Sequence, residues 1–303
     1  MNYFLKYLTQ LSWPAAIVLS VASMALWIPD FLAEDAPIGL LSATLSLTVV
    51  NAVVLMVLFY HCGVTRYRVG MPILLYMLLM AAFPSTHTDW QTQVAILFIA
   101  PVVLLLHNVH LNPETQEQSF VATLLICVAS LFAPSMVWLV PCLWLGFVLQ
   151  QAFSLRSMLA SLMAVAVFAI YFGITVFVAS RWGYELLVAM PDLSMGWWGH
   201  IMPLGDRIRL YVLLAVSIGF SVVLLLYIDR ASTRVRTFTL VYMILLVVTM
   251  LVVLFGSHTP TINPLPVYAA SVLATLFFQQ RESVVQGIIF LCFILIAVLS
   301  VFL

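Results

Sequence analysis

Charge is the scarcest commodity in this sequence. Only 7% of its 303 residues are Asp, Glu, Lys or Arg, against 65% that are hydrophobic. Soluble domains carry about 25% charged residues. A chain this poor in charge cannot wrap an apolar interior in a water-compatible surface, so lipid is the expected solvent for most of it. Net charge is missing too, because eleven basic side chains balance eleven acidic ones. No field of one sign draws the chain to a polyanion, which sets nucleic acid aside as a partner. Cysteine is sparse: Cys62, Cys127, Cys142 and Cys292, with no CxxC pair and no Cys/His metal spacing. Each lies in or beside an apolar run, where Cys packs as a small hydrophobe. Neither a disulfide framework, a metal site nor a cofactor is expected. Carboxylates are absent from the middle of the apolar runs, since all eleven stand at run ends or in loops. Pumps and ion-coupled carriers mark their paths with intramembrane ionisable groups, so this absence counts against proton coupling.

What the sequence does have is apolar runs near the length of about 20 residues that a spanning helix needs. Eleven qualify: 14–31, 38–60, 70–83, 94–111, 119–133, 134–153, 157–179, 208–228, 238–255, 265–278 and 284–303. Two of them, 70–83 and 265–278, are short enough to be tilted partial spans or re-entrant pieces, which keeps ten helices open. The expected fold is all-α, a polytopic membrane helix bundle of about eleven transmembrane helices. It forms one domain over 1–303, with an outer loop at 181–209. Pro101 and Pro141 should kink their spans, and Pro134 marks a tight helical hairpin. Small-residue pairs at four-residue spacing (Gly39 and Ala43, Ala160 and Ala164, Ala270 and Ala274) permit close helix approach. No repeat of fixed period is visible.

Orientation follows from the basic residues. With the N-terminus in the cytoplasm, Lys6, Arg66, Arg68, Arg156, Arg230, Arg234, Arg236 and Arg281 fall inside and Arg181, Arg207 and Arg209 outside. The outer face then collects the chemistry. Glu34 and Asp35 follow the first helix. The stretch from Arg181 to Arg209 carries Glu185, Asp192, His200, Asp206, Arg207 and Arg209 with three tryptophans, and His87 and Asp89 belong to the second outer loop. A carboxylate can serve as general base toward an acceptor hydroxyl, which makes Glu34 and Asp35 the catalytic candidates. Arginine holds phosphate in a bidentate grip, so Arg181, His200, Asp206, Arg207 and Arg209 are the candidates for substrate binding. The plain alternative is solvated loop charge and an ordinary interfacial tryptophan belt. His107 and His110, at i and i+3, do not amount to a metal motif. Asn51 is the deepest polar side chain, expected as an interhelical hydrogen bond or, on the functional reading, as part of a substrate path.

The segment from Gln118 to Phe172 contains ASLFAPSMVWLVPCLWLGF, a loop with Arg156 and a further helix. With RYRVGMPILLY at 66–76 it resembles a family of uncharacterised multi-pass inner-membrane proteins of the Bacteroidota. The resemblance implies the cytoplasmic membrane of a Gram-negative bacterium and carries no activity. The acidic pair Glu34-Asp35 in the first outer loop is also similar to that of polyprenyl-phosphate-sugar glycosyltransferases with many spans. The function expected first is a non-enzymatic envelope component or scaffold. The alternatives are a glycosyltransferase-like enzyme acting on polyprenyl-phosphate-linked sugar at the outer face, and a transporter or flippase of a lipid or small amphiphile. The expected partners are membrane lipid, with lipid-linked sugar or another envelope protein.

Overall fold

The structure, a computed structural model, describes residues 13–32, 37–64, 70–109, 115–181, 204–227, 232–255, 264–279 and 284–301. These form a bundle of 11 helices, and no strand occurs among the described residues. Helix α1 begins as Trp13–Met24 and continues through a 3-10 turn, Ala25–Trp27, into Ile28–Phe31. Helices α2 (Ile38–His61) and α3 (Met71–Ala81) follow, then α4 in two pieces, α4a (Trp90–Leu97) and α4b (Ile99–Asn108). Next come α5 (Thr115–Ser130), α6 (Leu139–Leu149, behind a 3-10 turn at Pro134–Trp138) and α7 (Leu155–Arg181). The last four are α8 (Leu204–Tyr227), α9 (Thr233–Phe255), α10 (Pro264–Gln279) and α11 (Val284–Val301). Both short runs are helical, with 11 and 16 residues.

The sequence explains where these helices break. Gly63 takes φ +64° after α2, and Val64 N–H returns to the Phe59 carbonyl at 3.1 Å. That is a left-handed glycine stop. Pro101 has no N–H for the Leu97 carbonyl, and α4 breaks at Phe98, the residue after Leu97. Pro141 was expected to kink a span. It stands instead in the first turn of α6, where a missing N–H is tolerated. Gly39, expected at a close helix contact, has open space around its Cα. The close approach comes at Gly146, where an added Cβ would lie 2.7 Å from a Leu106 methyl.

Among the described residues five helices, α2, α4, α7, α8 and α9, are long and apolar enough to cross a membrane. They turn large apolar side chains outward. On α7 alone, Leu159, Ile170, Tyr171, Ile174 and Phe177 are all more than half exposed. Water would not tolerate such a surface, whereas hydrocarbon does.

The centre is made by the two short helices. Every residue from Pro264 to Phe278 is buried, as are all but one of Met71–Ala81. At 1.5 Å per residue, α3 is about 16 Å long and α10 about 24 Å, both less than the roughly 30 Å of a hydrocarbon core. They pack against each other. Around that contact, α3 is flanked by α1, α2 and α11, and α10 by α8, α9 and α4a. The helices flanking the two correspond in chain order: α1 and α2 precede α3 as α8 and α9 precede α10, and α11 touches α3 as α4a touches α10. Helices α2 and α9 run in opposite directions. Phe59 near the end of α2 meets Phe238 near the start of α9, their ring centroids 5.2 Å apart. Between the two sets in the chain come α5, α6 and α7. Ser119 bonds the Ser157 carbonyl at 2.8 Å and Thr123 meets Ser161 at 2.7 Å, so α5 and α7 lie parallel and pack directly on each other.

Candidate functional site

The best candidate site is a buried string of polar groups that passes through the α3–α10 contact. It begins at the end of the bundle where α1 gives way to α2. There Asp30 meets His87, which follows a 3-10 turn at Pro84–Thr86. Asp30 Oδ2 lies within hydrogen-bond distance of His87 Nδ1. His87 Nε2 faces the Met80 carbonyl at 3.1 Å. The imidazole is stacked on Trp27, centroids 3.6 Å apart and 17° from parallel. His87 and Trp27 are each 1% exposed, while Asp30 keeps about a third of its side chain open. The Trp27 indole N–H is buried and meets no acceptor among the described residues. Asp89 caps α4a by accepting from Thr92 N–H at 3.0 Å.

Further in, Gln93 on α4a joins three helices. Its amide N–H points at the Met80 sulfur, 3.9 Å away. Its side-chain oxygen accepts from Asn51 and from the Tyr76 hydroxyl, both at 2.9 Å, and Asn51 also donates to the Gln93 main-chain carbonyl at 2.9 Å. All these side chains are buried. Tyr76 on α3 then meets Tyr268 on α10 edge to face, 5.8 Å between centroids, and the Tyr268 hydroxyl lies 3.3 Å from that of Tyr242 on α9. Buried polar groups without partners would cost about 1–3 kcal/mol each; here they are strung together. The string therefore touches α1, α2, α3, α4a, α9 and α10, on both sides of the α3–α10 contact. A separate cavity of about 40 Å³ between α4b, α5, α6 and α9 is lined by Phe98, Ile126, Leu139 and other apolar side chains. Its walls offer packing rather than chemistry.

The candidates drawn from sequence are distributed differently. Glu34, Asp35 and His200 lie outside the described residues. Arg181 closes α7 and is exposed. Asp206, Arg207 and Arg209 stand in the opening turns of α8, so helix enters the 181–209 stretch from both sides. The side chains of Asp206 and Arg207 lie outside the described residues, and Arg209 is half-buried and engaged with a neighbour. Asn51 makes the interhelical bond its position suggested. Sequence reasoning missed the partnership of Asp30 with His87, although both residues fall at the same face in the expected topology. It also missed Gln93 and the tyrosines, whose only signal was polarity inside short or broken apolar runs. Compared with known protein families, with curated proteins and with solved structures, the chain matches none.

Proposed function

We propose that this protein is a membrane carrier, a transporter or flippase of a lipid or small amphiphile, working by movement of the helices around α3 against those around α10. One observation carries the reading: two short, almost wholly buried, proline-headed helices, α3 and α10, meet at the centre with corresponding neighbours, and the flanking α2 and α9 run in opposite directions. In many secondary transporters, inverted repeats meet at such interrupted helices near the bilayer midplane, and the substrate binds there. The polar string supplies the groups such a path needs. Lipid is the partner that the outward apolar surface meets. The resemblance to inner-membrane proteins of the Bacteroidota supports the cytoplasmic membrane, with the N-terminus inside.

The test joins helices from the two sides of that contact covalently. Phe59→Cys with Phe238→Cys, linked by a short bis-maleimide, ties α2 to α9. Vesicles containing the protein are loaded with a fluorescent phospholipid or a fluorescent polyprenyl phosphate, and lipid movement is read from quenching by an added reductant. The expected result is movement of one probe at least tenfold above protein-free vesicles, lost on cross-linking and kept in the uncross-linked variant. Movement of neither probe, together with cells that tolerate the cross-link in a deletion-complementation assay, would remove the carrier and restore the non-enzymatic envelope component. Loss of complementation by Arg207→Ala alone, with lipid movement absent, would favour the outer-face enzyme on lipid-linked sugar.

A further inference from the structure

The cavity of about 40 Å³ between α4b, α5, α6 and α9 stands beside the break in α4. Phe98, where α4 breaks, is on its wall, and α4b adds Val102 and Val103. Ala129 on α5, Leu143 on α6 and Leu245 on α9 close the other sides. The described residues that line it are all apolar. Cys142 contributes a thiol, but that thiol is engaged with the Trp138 carbonyl at 3.6 Å. By volume the cavity holds about three waters, each needing about 10–15 Å³. A buried water also needs two to four polar partners, and the described walls offer none. Water therefore stays out. Emptiness has its own cost, because side chains around a void lose dispersion contacts. What fills the cavity depends on what lies outside it. Val103 and Leu143 are 4% and 3% exposed, whereas Phe98, Cys142 and Val241 are half-buried and mark the rim. Trp138 and Leu145, four before and three after Cys142, flank it on the same side of α6 and are 38% and 48% exposed. The surface beside the rim is thus apolar and belongs in hydrocarbon.

We propose that this cavity is a binding site for the end of a lipid acyl chain, which enters past Phe98, Cys142 and Val241 and sits between α4b and α9. A lipid tail is as apolar as leucine, so it enters from the bilayer without desolvation cost and gains the contacts that an empty cavity forfeits. Room for about three water-sized groups suits the last carbons of a chain and excludes a headgroup. The tail is held by packing alone. Helix α4b precedes α5–α7 in the chain and α9 follows them, so the seated tail bears on helices from both ends of the chain. The site requires that the bundle sit in lipid; it does not require the carrier reading.

The test uses the full chain in phosphatidylcholine vesicles that contain a phosphatidylcholine with a diazirine at the end of one acyl chain. After irradiation, digestion and mass spectrometry locate the adducts. A lipid that stays outside reaches the exposed Ile170 and Ile174 of α7 but not the closed Val103 and Leu143. The expected result is adducts on Val103 and Leu143 in a yield at least equal to that on Ile170 and Ile174. Ala129→Leu fills the cavity and should lower the yield on Val103 and Leu143 at least threefold while leaving α7 unchanged. Cys142→Leu narrows the rim and serves the same purpose where Ala129→Leu fails to accumulate; unchanged α7 adducts and a cooperative thermal transition show that either variant is folded. Adducts confined to the rim and α7, or a wall yield that the folded variants leave unchanged, overturn the site. Lipid movement is a separate readout. Tail adducts without movement keep this site and remove the carrier, whereas movement without tail adducts on the walls removes the site and keeps the carrier.

Discussion

At the level of single residues, the buried polar side chains decide most. Asn51 and Gln93 complete each other, and Tyr76 depends on the same Gln93 oxygen. Asn51→Leu strands part of that cluster, which should lower stability in detergent by about 1–3 kcal/mol. Gln93→Leu should do the same, and the double variant should cost clearly less than the sum, because the partners leave together. Equilibrium unfolding of the four proteins reads this directly. Cys62, just beyond α2, makes a different prediction. Burial pushes its thiol up to about 12, so at pH 9 only about one molecule in a thousand carries a thiolate there. Maleimide should leave Cys62 untouched in the folded protein and modify it after denaturation, as peptide mass spectrometry would show. The linkage has a sign: the folded state holds this proton more tightly than the unfolded chain, so its contribution to stability is whole below about pH 9 and fades as pH rises toward 12. Asn51 was legible in the sequence because a lone amide in an apolar run has few uses. The pairing of Asp30 with His87 was not, because 57 positions separate them and periodicity says nothing about which run ends meet.

At the level of helices, the sequence was a good guide to existence and a poor one to adjacency. Each apolar run became a helix, including the two short ones, because eleven or sixteen apolar residues suffice once neighbours cover them on all sides. Which helix covers which is not written in hydrophobicity, since one leucine face resembles another. Local chemistry marks a few contacts. Gly146 lets α6 approach Leu106 on α4b, and Gly146→Leu should destabilise by about 1–3 kcal/mol through overpacking. Leu106→Ala added to it should recover a substantial part of that loss, measurable by thermal unfolding. After α6, Gln151 sits at φ 55°, a conformation in which a side chain is strained, and Ala152 N–H returns to the Phe147 carbonyl at 3.0 Å. Gln151→Gly should therefore raise stability by about 1 kcal/mol. The same thermal series would register it as an upward shift.

For the whole molecule, the expected topology of eleven spans puts the two termini on opposite sides. A periplasm-active reporter fused after Leu303 should be active and a cytoplasm-active one silent if the N-terminus is inside; the reverse would turn the bundle over. The matching neighbours of α3 and α10 were hidden from a search for repeats because they share positions around a contact rather than a spelling. Their connecting segments nevertheless differ in a telling way. The α2–α3 link carries Arg66 and Arg68 where its counterpart, the α9–α10 link, reads GSHTPTIN; the α1–α2 link reads AEDAP where the α8–α9 link supplies Asp229 and Arg230, with Arg234 and Arg236 just beyond it. Matched links that face opposite sides of a bilayer should carry opposite basic content, and these do. The α3–α10 contact ties these links together: each of the two short helices is covered by neighbours from both ends of the chain, so a shift at that contact is felt on either side of it.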